Sequence, residues 1–258
     1  MCNLYSLRTG PAALRRAFGT VRDRTGNLPV LPAIFPDQMA PVVWNGAEGR
    51  ELALMRWGIP GPKAFGEHPV TNVRNAASPH WRPWLGPAHR CLVPVTAFSE
   101  YADTKPRKTP VWFALDEDRP LFAFAGIWRP WTGVRGTKRE NPDRVAEEHR
   151  LFSFLTTEAN GIVGPVHPKA MPVLLTKPEE WAAWLEAPTQ EALTLQRPLP
   201  VRRCGRWPGA RARMAPSRMP NPRRKAGSGL TGSNRRPAPA AAARPRPAPR
   251  EGPPPLAR

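Results

Sequence analysis

The fold is decided by two apolar stretches of sequence, LFAFAGIW at Leu121–Trp128 and LFSFLT at Leu151–Thr156. Strands buried on both faces have nearly continuous apolar runs, whereas half-exposed strands alternate polar and apolar residues. These two stretches therefore predict central strands of a sheet. The charged residues 129–149 between them predict an exposed hairpin or loop.

Shorter segments on either side predict the rest of the domain. Three further apolar segments predict strands, at Glu51–Gly58, Arg90–Val95 and Val111–Leu115. Short helices are predicted at Pro11–Phe18, from its amphipathic spacing, and at Lys177–Leu185, from its early Pro and two acids in the first turn. Together these elements indicate a strand-rich α+β domain with a compact, partly closed sheet.

The composition of the chain changes near residue 200. The 258 residues carry a formal net charge of +19, and most of it follows residue 200, where fifteen Lys and Arg residues accompany one acid, Glu251. This Arg-, Pro- and Ala-rich segment cannot bury enough apolar surface to offset its ordering entropy. We therefore predict a catalytic domain over residues 1–200 and a disordered basic tail over residues 201–258. Three interpretations of the tail stay open: a solvated appendage, a nucleic-acid-binding arm, or a frame-shifted end.

Several protein classes are disfavoured by what the sequence lacks. No apolar run approaches the length of a membrane span, and the first residues do not resemble a secretory signal. The cysteines Cys2, Cys91 and Cys204 have no paired spacing, which argues against a disulfide framework or a zinc site. We therefore expect a cytoplasmic protein with no membrane contact, no metal and no cofactor.

Cys2, directly after Met1, is the first candidate for chemistry. Removal of Met1 leaves a cysteine whose α-amine and thiol sit on adjacent carbons. The α-amine titrates near about pH 8, so a useful fraction is neutral and nucleophilic at pH 7. An amine condenses with an aldehyde to a Schiff base, and the neighbouring thiol can then close a five-membered thiazolidine ring. Taken alone, a cysteine at this position is more often incidental.

Three other polar positions lie beside apolar strands. Asn72 and Arg74, in the run TNVRNA, suit an amide that orients a catalytic group and a cation that binds phosphate. Glu100 follows an apolar strand, where burial can raise a carboxyl pKa for acid–base work. His167 lies on a proline-rich loop that can hold an imidazole in position. Each also has a structural interpretation, as a surface turn, an exposed strand end and a loop histidine.

The order of these motifs resembles that of the SOS response-associated peptidase family. The resemblance rests on Met1-Cys2, the RWGIP motif at Arg56–Pro60, Asn72-Val73-Arg74, FSEY at Phe98–Tyr101 and HPKAMP at His167–Pro172. It implies a single α+β domain around a strongly curved, barrel-like, mostly antiparallel sheet with flanking helices. It also implies a monomer that removes its own Met1 and crosslinks Cys2 to the aldehyde of abasic sites in single-stranded DNA, becoming nucleoid-associated when bound.

The same resemblance implies a role for each motif residue. Cys2 would be the nucleophile, and Asn72 would hold its backbone. Glu100 would move protons at the α-amine, and His167 would do so at the opened sugar. Arg74 would bind a DNA phosphate.

Two further residues are predicted to contact DNA. Pro36, in Phe35-Pro36-Asp37, resembles the family's proline near the lesion, and Trp57 beside Gly58 can stack on a base. The chain departs from the family at Asn3-Leu4, where many members have Gly-Arg, so one cationic DNA contact is missing. Two rival functions stay open: a cysteine peptidase that acts on other proteins through Cys2 and His167, and a non-catalytic nucleic-acid-binding protein that uses the basic tail.

Overall fold

The computed structural model describes residues 2–66 and 68–207. The helices are α1 (Pro11–Phe18), α2 (Pro178–Glu186) and α3 (Thr189–Leu193), with 3-10 turns at Lys63–Phe65, Arg82–Trp84, Pro87–His89 and Val201–Arg203. The strands are β1 (Leu4–Leu7), β2 (Arg22–Asp23), β3 (Leu31–Ile34), β4 (Met39–Gly46), β5 (Gly49–Trp57), β6 (Ile59–Pro60), β7 (Pro69–Val70), β8 (Asn72–Val73), β9 (Arg90–Val95), β10 (Ala97–Ala102), β11 (Thr109–Ala114), β12 (Phe122–Gly133), β13 (Glu147–Thr157), β14 (Met171–Pro172), β15 (Leu174–Leu175) and β16 (Gly205–Trp207).

Five strands form a closed barrel in the order β5, β4, β9, β12 and β13. These neighbours are antiparallel, and the barrel closes through a parallel pairing of β13 with β5 at Leu151–Arg56 and Phe152–Trp57. The predicted central strands are confirmed, because β12 lies between β9 and β13 and β13 lies between β12 and β5. Beyond the buried part, β12 and β13 continue as the hairpin predicted between them.

A second sheet, in the order β16, β11, β10, β1 and β3, carries the N-terminus. Tyr5 of β1 contacts Trp57 and Phe124 of the barrel, with ring centroids 5.1 and 5.7 Å apart. Phe98 of β10 also contacts Phe124, at 6.0 Å. These edge-to-face contacts are a favoured geometry for aromatic rings, and they hold β1 and β10 against the barrel. The predicted α+β fold with a barrel-like, mostly antiparallel sheet is therefore confirmed.

Helix α1 has its predicted bounds, α2 lies one residue later than the predicted Lys177–Leu185, and α3 was not predicted. Helix α1 has a proline in its first turn and ends at Gly19, which adopts a left-handed φ of 63°. Helix α2 has Glu179 and Glu180 in its first turn, where negative charge is favourable. Phe18 of α1 packs against Trp181 of α2, with ring centroids 4.5 Å apart. The two helices therefore flank the sheets as a packed pair.

The described elements continue past the predicted domain boundary at residue 200. The 3-10 turn at Val201–Arg203 is followed by Cys204, which is buried, and by β16, which pairs with β11. The predicted tail of residues 201–258 thus begins with a turn and an edge strand rather than with disordered chain. Residues 208–258, where the rest of that prediction falls, lie outside the described residues. Among the residues that the structure describes, no helix is long and apolar enough to cross a membrane.

Candidate active site around Cys2

Cys2 lies two residues before the start of β1 and is completely buried. The antiparallel pairing of Leu4 with Ser99 holds this end of the chain beside β10. The Cys2 thiol donates to the carbonyl oxygen of Leu4 at 3.5 Å. Burial raises the pKa of this thiol, and the negative charge of Glu100 raises it further. The sulfur is therefore held as a neutral thiol.

Asn72 binds the backbone of Cys2 from the other side. It lies on β8, which runs parallel to β13 with Asn72 opposite Phe154. Its side-chain Nδ2 donates to the carbonyl oxygen of Cys2 at 2.9 Å and to Oγ1 of Thr71 at 2.7 Å. Its Oδ1 is buried and accepts no hydrogen bond within the described part of the chain. The Asn72 side chain that binds Cys2 therefore also carries an acceptor oxygen, Oδ1.

Glu100 lies on β10, one residue after the Ser99 that pairs with β1, and is 2% exposed. Burial raises the pKa of its carboxyl, because the charged form loses its hydration. Nearby positive charge, of which His167 supplies part, acts in the opposite direction. A carboxyl with a raised pKa can both hold and release a proton near neutral pH, as a general acid–base group requires.

His167 lies on the loop that precedes β14. Its backbone N–H donates to Val163 at 2.9 Å, and its side-chain Nδ1 lies 2.9 Å from the carbonyl oxygen of Ala170. Because a carbonyl oxygen can only accept, Nδ1 must carry the proton of this hydrogen bond. When the ring is neutral, its acceptor nitrogen is therefore Nε2. Its charged form acts on the pKa of the Glu100 carboxyl and lowers it.

The four residues predicted as catalytic come from four separate places in the chain. Asn72 binds the backbone of Cys2, Glu100 raises the pKa of its thiol, and His167 acts on the pKa of Glu100. The α-amine of Cys2, once free, would have a carboxyl, an imidazole and an amide oxygen in its surroundings. A neutral thiol lies on the same residue. This set of groups can perform proton transfer and nucleophilic addition to a carbonyl carbon.

Arg74 and Pro36 are accessible, as contacts with DNA require. The Arg74 side chain is 50% exposed and its guanidinium lies 3.6 Å from the carboxylate of Glu158. Pro36 is partly exposed on the turn between β3 and β4, where Asp37 adopts a positive φ of 63°. The Asp37 carbonyl accepts a hydrogen bond from Arg56, and the Asp37 N–H donates to Trp57 at 2.9 Å. Their roles in DNA binding stay predictions.

The base-stacking interpretation of Trp57 requires correction. Its indole has an exposed fraction of 0%. It stacks on Phe154 at 5.3 Å between ring centroids, and its Nε1 donates to the carbonyl oxygen of Thr71 at 3.1 Å. The apolar rings of β1 and β13 cover its faces, so no nucleobase can reach them. Trp57 supports the site from the core instead, by holding the backbone of the residue before Asn72.

Sequence reasoning passed over Thr71, although it lies in the polar run that contains Asn72. Thr71 Oγ1 accepts from Asn72 and donates to Oδ1 of Asn3 at 3.1 Å. From the sequence, Asn3 was notable only because Asn3-Leu4 replaces the Gly-Arg of many family members. A signal for Thr71 was available, since a hydroxyl directly before a buried amide can orient it. The partner on the other side, 68 residues away in sequence, became visible only in the fold.

The fold and this site have counterparts in known proteins. Residues 1–208 match the family model described as SOS response associated peptidase (SRAP). The chain therefore belongs to this family, as its motifs predicted.

The curated relatives include two proteins from Bacillus subtilis (strain 168). The abasic site processing protein YoqW is 29% identical over 159 residues, which cover 59% of this chain and 65% of YoqW. The abasic site processing protein YobE is 28% identical over 159 residues, which cover 57% of this chain and 66% of YobE. The chain thus spans just under two thirds of the length of these relatives.

Solved structures share the fold at lower sequence identity. A protein from Bacteroides thetaiotaomicron has a TM-score of 0.64 at 22% identity, over 80% of this chain and 90% of its own. A protein from Bordetella bronchiseptica has a TM-score of 0.62 at 21% identity, over 80% of this chain and 98% of its own. At this level of identity the similarity shows the fold alone.

Proposed function

We propose that this protein processes abasic sites in single-stranded DNA by forming a covalent bond between Cys2 and the C1′ aldehyde of the ring-opened sugar. The observation that supports the proposal is the hydrogen bond from Asn72 to the carbonyl oxygen of a buried cysteine at position 2, on whose thiol the buried carboxyl of Glu100 acts. The Bacillus relatives are named abasic site processing proteins, which supports the choice of substrate.

The first step is removal of Met1. Hydrolysis of the Met1–Cys2 amide adds water to the carbonyl carbon and expels the Cys2 nitrogen, which must gain a proton as it leaves. Glu100, whose pKa is raised by burial, is suited to deliver that proton. Asn72 holds the Cys2 carbonyl at 2.9 Å during the step, so the new α-amine stays in place.

The second step is condensation of the α-amine with the aldehyde. The nitrogen lone pair attacks C1′, and the carbonyl oxygen becomes a hydroxyl by taking up a proton. Loss of that hydroxyl as water leaves a protonated Schiff base. Glu100 can supply and recover these protons at the nitrogen, while His167 serves the opened sugar through Nε2, since its Nδ1 is committed to Ala170.

The third step closes the ring. The sulfur of Cys2 forms a bond to C1′ as the C=N π electrons move to nitrogen, and the thiol loses its proton to a neighbouring base. The product is a thiazolidine, and the overall balance is aldehyde plus aminothiol giving thiazolidine plus water. The raised pKa of the thiol fits this order, because a neutral thiol leaves the first attack to the amine.

DNA binding is assigned to the accessible residues near the site. Arg74 would bind a phosphate, for which its planar guanidinium is well matched, and Pro36 would contact the lesion. The protein would act as a monomer without a metal or cofactor, in the cytoplasm and on the nucleoid when bound to DNA.

The rival cysteine peptidase is less well supported. A cysteine peptidase needs a thiolate, and its pKa must be lowered by a neighbouring positive charge. Burial and Glu100 both act in the opposite direction on Cys2. Removal of Met1, as proposed above, uses water as the nucleophile and so needs no thiolate.

One experiment separates the candidate functions. Purified protein, with its N-terminus checked by intact mass, is incubated with a single-stranded oligonucleotide containing an abasic site and analysed by denaturing electrophoresis. We expect a shifted band that survives denaturation and requires the aldehyde. A peptidase or a non-catalytic DNA-binding protein gives no such band, and its absence from protein that lacks Met1 would overturn the proposal.

A further inference from the structure

The hydrogen bonds that surround Cys2 have a fixed direction. The carbonyl oxygen of Cys2 can only accept, so the Asn72 atom that lies 2.9 Å from it must be the amide nitrogen. The second N–H of the same nitrogen goes to Oγ1 of Thr71 at 2.7 Å. Oγ1 thus accepts from Asn72 and gives its own proton to Asn3, at 3.1 Å. Three side chains therefore form one directional relay that starts at the Cys2 carbonyl.

The hydrogen bond at the end of this relay determines which side-chain atoms of Asn3 remain for other partners. Because Thr71 donates to it, the Asn3 atom in the hydrogen bond is the carbonyl oxygen Oδ1. The amide nitrogen of Asn3 then points away from Thr71 with two N–H donors. Asn3 is exposed, and its Cα is only about 3.8 Å from that of Cys2, as for any consecutive residues. A donor is thus held on the exposed residue that follows Cys2 in the chain.

We propose that Asn3 uses these N–H groups to bind an acceptor oxygen of the DNA beside the abasic site, with Thr71 as its positioning residue. This inference rests on the proposed function. A phosphate oxygen and a carbonyl oxygen on a flanking base are both acceptors of the required kind. Asn3 recognises DNA without a charge, at the segment where a neighbouring cation is missing.

The neutrality of Asn3 makes the inference testable. A cation that contacts phosphate releases counterions, so its removal makes the salt dependence of binding shallower, by about 0.7 in logarithmic slope for single strands. A neutral donor releases no counterions. Loss of Asn3 should therefore weaken binding at every salt concentration and leave the slope unchanged.

The measurement is the non-covalent affinity for a single-stranded oligonucleotide that carries a tetrahydrofuran abasic-site analogue, which has no aldehyde. Asn3→Ala is expected to raise Kd about threefold to tenfold, the usual effect of losing one hydrogen bond. Asn3→Arg should steepen the salt slope. The matched control is Asn27→Ala, an exposed asparagine in the connection between β2 and β3, for which wild-type affinity is expected.

The role of Thr71 is tested by non-additivity. Thr71→Val removes the hydroxyl but keeps the shape, so it should weaken binding, and Thr71→Ser should restore it. Because Thr71 acts through Asn3, the double variant Thr71→Val with Asn3→Ala should bind about as well as Asn3→Ala alone. Should Thr71→Val fail to fold, the exposed Asn3 variants still test the inference.

Two further binding experiments identify which DNA oxygen accepts the hydrogen bond from Asn3. A methylphosphonate at one flanking position removes a phosphate charge and its acceptor oxygen. If it weakens binding by the wild type, and Asn3→Ala then causes no further loss of affinity, the acceptor is that phosphate. If the penalty of Asn3→Ala changes with the flanking base, the acceptor is the base. Wild-type affinity for Asn3→Ala, or an equal loss for Asn27→Ala, would overturn the inference. Failure of the wild type to crosslink a true abasic site would instead refute the proposed function.

Discussion

Trp57 at the end of β5 pairs with Phe152 of β13 in the parallel contact that closes the barrel. The same tryptophan stacks against Phe154 and donates from Nε1 to Thr71, directly before Asn72. Barrel closure and the position of the Asn72 amide therefore depend on one buried side chain. Trp57 is thus linked, through Thr71 and Asn72, to the carbonyl oxygen of Cys2.

The first prediction concerns Trp57. Trp57→Ala should lower the free energy of unfolding by about 3–5 kcal/mol, since it empties a fully buried aromatic site. Trp57→Phe should lower the free energy of unfolding by less, and its folded molecules should still crosslink. Urea denaturation and the abasic-site gel assay measure the two effects. Normal stability of Trp57→Ala together with weaker DNA binding would return this residue to the role of a base-stacking surface.

The second prediction separates the two nucleophiles of Cys2. Cys2→Ser keeps the α-amine but lacks the sulfur that closes the ring, provided that Met1 is removed. We expect an adduct that is trapped by borohydride and little stable crosslink without it. A stable crosslink at wild-type yield would remove the thiol from the mechanism.

The third prediction concerns proton transfer by Glu100. Glu100→Gln keeps the size of the side chain but cannot exchange a proton, so both Met1 removal and crosslinking should slow by ~10²–10⁴-fold. Binding to the tetrahydrofuran oligonucleotide should change little. The measurements are intact mass over time and crosslink formation by protein already freed of Met1. Crosslinking of the variant at the wild-type rate would reassign these protons to His167 or water.

Glu100 should also affect stability as a function of pH. Its pKa is raised in the folded protein, so its charged form is disfavoured there relative to the unfolded chain. Its contribution to stability is therefore greatest below the unfolded pKa and is lost as the pH rises through the folded pKa. Relative to the wild type, Glu100→Gln should be more stable at the upper end of this window. Urea titrations of both proteins at several pH values would measure how the difference in unfolding free energy changes. A difference that stays constant with pH would argue against this prediction.

The fourth prediction concerns phosphate binding by Arg74. Arg74→Ala should weaken binding to single-stranded DNA and make its salt dependence shallower, with normal Met1 removal. Glu158→Gln should have the reverse effect, because it removes the carboxylate 3.6 Å from that guanidinium. Arg22 is a matched control, since it is similarly exposed and also paired with a glutamate, Glu48. Equal losses for Arg22→Ala and Arg74→Ala would indicate only a general effect of charge.

The fifth prediction concerns the C-terminal boundary. Deleting residues 208–258 should leave crosslinking largely intact and reduce the salt sensitivity of non-specific binding, because many basic residues are removed. Deleting residues 201–258 should also destabilise the protein, since it removes β16 from the edge of β11 and the buried Cys204. Thermal unfolding of the two fragments makes the comparison. Equal stability would show that β16 contributes nothing to the fold.

The sequence by itself determined the local elements and the identity of the reactive groups. The continuous apolar runs of β12 and β13 predicted central strands because a strand with two buried faces has no place for polar residues. Proline near the first turn and acids beside it located α2 for equally local reasons. The motifs around Cys2, Asn72, Glu100 and His167 identified the family and its candidate site.

Only the tertiary structure decided how these groups are held. The burial of Trp57 and the direction of the relay from Cys2 to Asn3 depend on partners distant in sequence. The protonated nitrogen of His167 depends on the folded conformation of its own loop, where it meets Ala170 three residues away. The end of the domain depends likewise on the pairing of β16 with β11. Periodicity reports which face of a strand is apolar, but it cannot report which strand lies beside it. Register, barrel closure and hydrogen-bond direction are properties of such pairs, so they arise only when the chain is folded.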